Sequence, residues 1–241
     1  MCERYGDLSH DANFSRRQFL GAGAIALAAF SGAVHAADPP KAGAPNAIAP
    51  GDALKRLMDG NARYAANNPT ERDFSSKRAQ LAQAQYPIAA ILGCADSRVV
   101  PDLVFDQSPG DLFVARVAGN IVTTNLLASL EYGVQFLGTP LILVLGHSNC
   151  GAVDAAVKVV KSNAKLPGHL PELVQAIKPA VITAAKVAPN DVLNYAIADN
   201  VRRQVARLKG AAPIVQKAYR DKKIDIAGGV YDIATGKVTL V

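Results

Sequence analysis

Two runs of consecutive apolar residues, each ended by a glycine, lie in the middle of this chain. The first extends over residues 87–92 before Gly93, and the second over residues 140–145 before Gly146. Both are too short for a buried helix and lack the alternation of a strand with one solvated face, so each indicates a strand covered on both faces. Helical periodicity between them predicts a mainly parallel sheet with helices on its faces.

The segments around these runs complete an α/β pattern. Further strands are predicted at residues 111–117, 224–231 and 237–241, and helices at residues 124–136, 151–162, 170–186, 190–208 and 213–221. We expect Asp52 and Ser75 to cap two earlier helices. Half of the residues are hydrophobic, which is enough for a sizeable core. The sequence therefore predicts one α/β domain over residues 51–241, with a mainly parallel central sheet flanked by helices.

The N-terminal segment differs from the rest and is interpreted as an export signal. Arg16 and Arg17 precede a short stretch rich in Gly and Ala, which ends in small residues near Ala36. This arrangement resembles a bacterial twin-arginine signal. Because the stretch is only weakly apolar, cleavage is favoured over an uncleaved membrane anchor. We therefore predict a signal peptide over residues 1–36, a linker rich in Pro and Ala over residues 37–50, and a periplasmic or otherwise exported domain with no stable membrane anchor.

The charge and the cysteine count exclude two classes of protein. The net charge is +6, but the basic stretches at residues 201–203 and 219–223 are short and carry no interleaved aromatics. They are typical of a solvated helix face, so no nucleic-acid partner is expected. Three cysteines are too few to stabilise a chain of 241 residues as a disulfide framework.

Metal-ligating residue types follow both apolar runs. Residues 93–98 read Gly-Cys-Ala-Asp-Ser-Arg, and residues 146–151 read Gly-His-Ser-Asn-Cys-Gly. Because ligands in parallel sheets bind at the carboxyl ends of strands, the two segments converge if their strands are neighbours. The side chains they offer are the thiolates of Cys94 and Cys150, the imidazole of His147 and the carboxylate of Asp96. Soft sulfur with borderline nitrogen selects zinc, which indicates one Zn2+ per chain.

Alternatives remain open for these residues. A disulfide between Cys94 and Cys150 suits an oxidising compartment, but it leaves His147 and Asp96 without a role. Arg98 offers a bidentate partner to the Asp96 carboxylate. If Asp96 is paired with Arg98, the fourth coordination position of the zinc is open to water. If Asp96 binds the metal, that position is closed.

The ordered pair of motifs resembles the two signature motifs of the β-class carbonic anhydrases. The motifs are Cys-x-Asp-x-Arg at residues 94–98 and His-x-x-Cys at residues 147–150, and the similarity extends over about residues 51–232, including residues 116–120 and 131–133. The resemblance implies reversible hydration of CO2 to bicarbonate and a proton through zinc-bound hydroxide. It also implies a homodimer or higher homo-oligomer with a pocket near the dimer interface.

The same resemblance implies roles for individual residues. Cys94, His147 and Cys150 are the permanent zinc ligands. Asp96 is either the fourth ligand of a resting state or, paired with Arg98, a catalytic acceptor of a hydrogen bond from the hydroxide. The residues that contact the substrate are Gln85, Phe113 and Tyr132.

Two other functions are compatible with the same residues. One is hydrolysis of a related small heterocumulene, CS2 or COS, on the same fold. The other is a non-enzymatic role in zinc binding or thiol sensing. The presence of Asp96 and Arg98 favours an enzyme, because a storage site needs no switchable carboxylate.

Overall fold

The two apolar runs form neighbouring parallel strands in a sheet of five strands. The structure is a computed structural model and describes residues 44–241. The predicted signal peptide, residues 1–36, and the first part of the predicted linker lie outside the described residues. Within residues 44–241, no helix is both long enough and apolar enough to span a bilayer.

Strands and helices alternate as the sequence predicts. The strands are β1 (Ala89–Gly93), β2 (Leu112–Arg116), β3 (Leu141–His147), β4 (Asp225–Tyr231) and β5 (Val238–Leu240). The helices are α1 (Pro50–Ala65), α2 (Arg78–Leu81), α3 (Pro101–Val104), α4 (Thr124–Gln135), α5 (Gly151–Ser162), α6 (Leu170–Val187), α7 (Val192–Lys209) and α8 (Ile214–Arg220). The sheet order is β2-β1-β3-β4-β5, and only the β4–β5 pair is antiparallel among these strands. The prediction of an α/β domain with a mainly parallel central sheet is confirmed.

Alternate residues of the central strands pack on opposite faces of the sheet. On one face, Leu143 of β3 belongs to the same apolar cluster as Leu57 of α1. On the other face, Val144 clusters with Leu130 of α4 and Val201 of α7. Because both faces are covered by helices, both sets of side chains are apolar, which explains the lack of alternation in the sequence.

Two helix starts differ from the prediction. α1 begins at Pro50 with Asp52 inside its first turn, because the fixed φ of proline suits the first helical position. Ser75 caps no helix; its amide and hydroxyl instead donate to the carboxylate of Asp73. This turn competes with helix formation, and α2 is reduced to the four residues Arg78–Leu81.

The end of the predicted linker lies against the domain. Asn46 is buried, and its amide group donates to the backbone oxygens of Pro87, at 3.2 Å, and Leu137, at 2.7 Å. Asn46 therefore contacts the loops that precede β1 and β3, ahead of the start of α1.

The buried carboxylate of Asp106 joins the end of α1 to residues 70–72, which follow that helix. The Asp106 side chain is fully buried and accepts hydrogen bonds from Arg63 Nε at 2.6 Å, from Thr70 Oγ1 at 2.8 Å and from Arg72. Burial alone opposes ionisation, but these donors outweigh it and hold the pKa of Asp106 well below its usual range.

We expect Asp106 to make the fold sensitive to acid. Since the pKa of Asp106 is lower in the folded than in the unfolded chain, its stabilisation is complete above the unfolded value, about 4, and is lost as the pH falls below it. Asp106→Asn should cost about 3 kcal/mol at neutral pH, the low end for a buried pair because Arg63 is partly exposed. The free energy of unfolding, measured by urea denaturation from about pH 2 to pH 7, checks both effects.

The matched control is Asp221→Asn. Asp221 pairs with Lys217 on the protein surface, so its replacement should leave the free energy of unfolding almost unchanged, because solvent screens exposed pairs. An Asp106→Asn variant that lost stability with acid as steeply as the unaltered chain would contradict the prediction.

Candidate metal centre

β1 and β3 end side by side at one edge of the sheet. Gly93 of β1 pairs with Leu145 of β3, so Cys94 and His147 follow at nearly the same level. The strands are therefore neighbours, as the predicted convergence of the segments after β1 and β3 requires. The ligand atoms of Cys94, His147 and Cys150 lie within 4.8 Å of one another, and all three residues are buried.

A tight turn carries Cys150 from β3 to the start of α5. Asn149 adopts a left-handed conformation, with φ 53°, and Cys150 is the N-cap residue of α5. The turn is fixed because the Ser148 amide donates to Tyr231 O at 2.8 Å and the Ser148 hydroxyl accepts from the Ile233 amide at 3.0 Å. The backbone N–H groups of Ala152 and Val153 at the start of this helix favour the thiolate form of Cys150, which is the form that binds a metal.

His147 presents one ring nitrogen that is buried and unused. Its side chain is fully buried, and Nδ1 lies 2.9 Å from Ser148 O. This contact assigns the proton to Nδ1 and leaves Nε2 as an acceptor. Among the described residues, Nε2 of His147 has no hydrogen-bond partner. An unpaired buried acceptor is costly, so this nitrogen indicates a ligand at the site.

The two cysteines also favour a cation. Cys94 and Cys150 are free thiols, so the alternative disulfide is not formed in the described structure. The neighbouring Cys150 thiol lowers the pKa of the Cys94 thiol, and the charge on the Cys94 sulfur in turn raises the pKa of Cys150 by opposing a second ionisation. A divalent cation removes this conflict by allowing both to ionise. Two thiolates and one imidazole fit zinc.

Asp96 lies beside this group and is paired with Arg98. Its Oδ1 accepts from Arg98 Nε at 2.9 Å, and its Oδ2 accepts from Arg98 Nη2 at 2.7 Å. The Arg98 hydrogen bonds hold the pKa of Asp96 well below its usual range. Oδ2 also lies 3.9 Å from Nε2 of His147. Of the two arrangements left open by the sequence, the structure has the Asp96–Arg98 pair; Asp96 as a fourth ligand stays a prediction.

Arg116 is a positioning residue that the sequence analysis did not identify. Its Nε donates to Cys94 O at 2.8 Å, and its Nη2 donates to Asp96 O at 2.5 Å. Arg116 therefore fixes the backbone on both sides of Ala95. A signal was available, because Arg116 is a charged residue near the end of the predicted strand 111–117, directly after four apolar residues.

The three predicted substrate residues lie apart from the ligand group of their own chain. Phe113 pairs with Ala90, four residues before Cys94, which is roughly 13 Å along a strand. Tyr132 of α4 is 44% exposed, and its ring lies 6.3 Å from that of Phe113. Gln85 is exposed in the loop before β1. The structure thus brings Phe113 and Tyr132 together, and the assignment of all three to a substrate pocket stays a prediction.

Comparisons with known proteins agree on one family. A sequence profile described as "Carbonic anhydrase" matches residues 89–238. The carbonic anhydrase of Mycolicibacterium smegmatis is 36% identical over 189 residues, which is 78% of this chain and 91% of that protein. The carbonic anhydrase of Pseudomonas aeruginosa is 36% identical over 200 residues, which is 77% of this chain and 86% of that protein.

Solved structures have the same fold. The Coccomyxa β-carbonic anhydrase, solved in complex with acetazolamide, has a TM-score of 0.63 and 32% identity, covering 78% of this chain and 86% of its own. A structure from the work on two tetrameric β-carbonic anhydrases of Sordaria macrospora has a TM-score of 0.63 at 24% identity, covering 79% of this chain and 97% of its own.

Proposed function

This chain belongs to the β-class carbonic anhydrases, the zinc enzymes of reversible CO2 hydration, and we propose how its own residues carry out that reaction. The observation that carries the proposal is the buried Cys-His-Cys group, in which Nε2 of His147 has no hydrogen-bond partner within residues 44–241, with the Asp96–Arg98 pair beside it. Cys94, His147 and Cys150 would hold the metal. When bound there, zinc lowers the pKa of a water to about 7 and so supplies a nucleophile at neutral pH.

Asp96 orients the reactant. Its pKa lies well below neutrality because of the Arg98 hydrogen bonds, so the carboxylate is ionised and accepts hydrogen bonds without donating any. A hydroxylic reactant beside Nε2 of His147 must therefore turn its hydrogen to Asp96 and its lone pair away from it. Arg98 keeps Asp96 in this role, since two of its donors occupy both carboxylate oxygens.

The other two functions are less well supported. A zinc-storage or thiol-sensing site has no need of a carboxylate held ionised next to the metal group. Hydrolysis of CS2 or COS is not favoured, because the relatives described above carry the name carbonic anhydrase.

Stopped-flow CO2 hydration by the full chain, from about pH 6 to pH 9 around the water titration, tests the proposal. We expect activity with about one zinc per chain, loss of activity with a strong chelator and recovery when Zn2+ is returned. Zinc is quantified in the same sample. A fully zinc-loaded chain without activity at any pH would favour the storage or alternative-substrate functions, and activity without zinc would exclude the metal site.

We also propose a homodimer or higher homo-oligomer. The Sordaria macrospora relatives are described as tetrameric, which supports assembly. β2 lies at the sheet edge, and Tyr132, beside Phe113 of β2, is exposed. A second copy packed on this edge would bury Tyr132 and place both aromatics near an interface. The mass in solution, measured by light scattering, checks this; an active monomer would contradict it.

Export is proposed from the N-terminal segment alone. Arg16 and Arg17 before a weakly apolar stretch support a twin-arginine signal cleaved near Ala36. In a bacterial host, we expect the chain to appear in the periplasm in a shortened form, checked by cell fractionation and mass spectrometry. The double replacement Arg16→Lys and Arg17→Lys should leave the chain uncleaved in the cytoplasm, whereas the control Arg4→Lys should not. Normal export of the double variant would exclude this route.

A further inference from the structure

The loop between β2 and α4 presents a backbone amide to a metal ligand. The Gly119 N–H donates to Cys94 Sγ at 3.3 Å. Gly119 has φ 74°, and a Cβ atom added there would lie 2.6 Å from Ile177 Cδ1. Asn120, which follows, also has a positive φ of 44°. A side chain at position 119 would be strained by the positive φ and would crowd Ile177 of α6, so glycine suits this bend.

A chain of buried hydrogen bonds ties this loop to α7. Asn200 Nδ2 donates to Gly119 O at 2.9 Å, and Gln204 Nε2 donates to Asn200 Oδ1 at 3.1 Å. Gln204 Oε1 accepts from the Val122 amide at 2.9 Å. Asn200 and Gln204 are 1% and 4% exposed and lie one turn apart on α7. The two side chains therefore hold the loop at Gly119 and at Val122.

The side-chain amides of Asn200 and Gln204 interrupt a face of α7 that is otherwise apolar. Ile197, Val201 and Leu208 are buried on the same helix. Burying an amide is unfavourable unless its hydrogen bonds are made. Asn200 and Gln204 bond to backbone groups of the loop that reaches Cys94. Their side chains therefore fix the path of that loop.

We propose that Asn200 and Gln204 are positioning residues for the metal centre, because they fix the backbone on the carboxyl side of Gly119, the residue whose N–H donates to the Cys94 sulfur. The inference rests on the proposed role of Cys94 as a zinc ligand. A hydrogen bond to a ligand atom orients that ligand and tunes its donor strength, and loss of such outer partners typically costs about 10- to 100-fold in metal affinity.

The test is the zinc dissociation constant of the full chain, measured by competition with a chromophoric chelator. Asn200→Leu keeps a side chain of similar size and removes the donor to Gly119 O. We expect it to bind zinc about 10- to 100-fold more weakly and to shift the sulfur-to-metal charge-transfer absorption of the Co2+-loaded chain. Gln204→Met, which acts one hydrogen bond further away, should weaken binding in the same direction by a smaller factor.

The matched control is Leu208→Ala, which removes a fully buried side chain from the same helix two turns beyond Asn200. It should lower the melting temperature and leave both metal readouts unchanged. If Asn200→Leu does not fold, the zinc dissociation constant of Gln204→Met tests the proposal. Unchanged zinc binding in the folded variants, or an equal change in Leu208→Ala, would overturn this inference alone. An unaltered chain that binds no zinc would overturn the proposed metal site as well.

Discussion

Replacing Asp96 with asparagine is expected to lower kcat for CO2 hydration by about 100- to 1,000-fold, the range for loss of one preorganised hydrogen-bonding group in an active site, while the chain keeps its zinc. Asparagine fills the same volume, but its amide can donate as well as accept. It therefore no longer forces a reactant to turn its hydrogen toward residue 96. The measurement is stopped-flow hydration together with the zinc content of each sample.

An Asp–Arg pair on α7 provides the control for this experiment. Asp199 pairs with Arg203 on α7 at 2.6 Å, and Asp199→Asn removes an equivalent charge from a pair outside the ligand group. We expect Asp199→Asn to retain full activity. If Asp96→Asn lost zinc in proportion to its activity, Asp96 would be a metal ligand in the working enzyme, and its role as an orienting acceptor would be wrong.

Cys150→Ala should lose the metal itself. The change leaves only Cys94 and His147 of the three ligands, so zinc affinity should fall by more than about 100-fold, which is the usual upper effect of losing an outer partner. Activity should fall with the zinc content. The melting temperature of the zinc-treated chain should also fall, because metal binding contributes to the stability of the folded state.

Val153→Ala separates loss of the ligand from loss of packing. Val153 is buried in the first turn of α5, close to Cys150 in sequence, and its truncation removes apolar contacts without removing a donor atom. We expect it to be less stable but to bind zinc as tightly as the unaltered chain. Full activity in a zinc-free Cys150→Ala chain would exclude the assignment of the metal site.

The sequence predicted the sheet and the ligand group for a definite physical reason. Strands covered on both faces are apolar at every position, so β1 and β3 were visible without any alignment. Ligands at the carboxyl ends of parallel strands then lie at a common edge. What the sequence did not determine was that β1 and β3 are adjacent, since adjacency depends on the connections between strands.

Contacts made by the backbone were not predicted. The Gly119 amide is invisible in a sequence, and its direction depends on two consecutive positive φ values. Asn200 and Gln204, four residues apart on a helix with many charges, are typical of a solvated face, yet both are buried. Ser75 was misassigned because a short hydrogen bond to Asp73 competes with helix capping.

The hydrogen bonds of Arg116 affect how quickly the Asp96–Arg98 pair can break and re-form. Its guanidinium binds the carbonyls of Cys94 and Asp96, so the peptide backbone that carries the carboxylate is clamped. Release of Asp96 from Arg98 therefore involves rotation about side-chain bonds alone. Rotations of exposed side chains take picoseconds to nanoseconds, whereas loop movements take nanoseconds to microseconds. Because the Arg98 side chain is about half exposed, the Asp96–Arg98 pair can break and re-form faster than a loop can move.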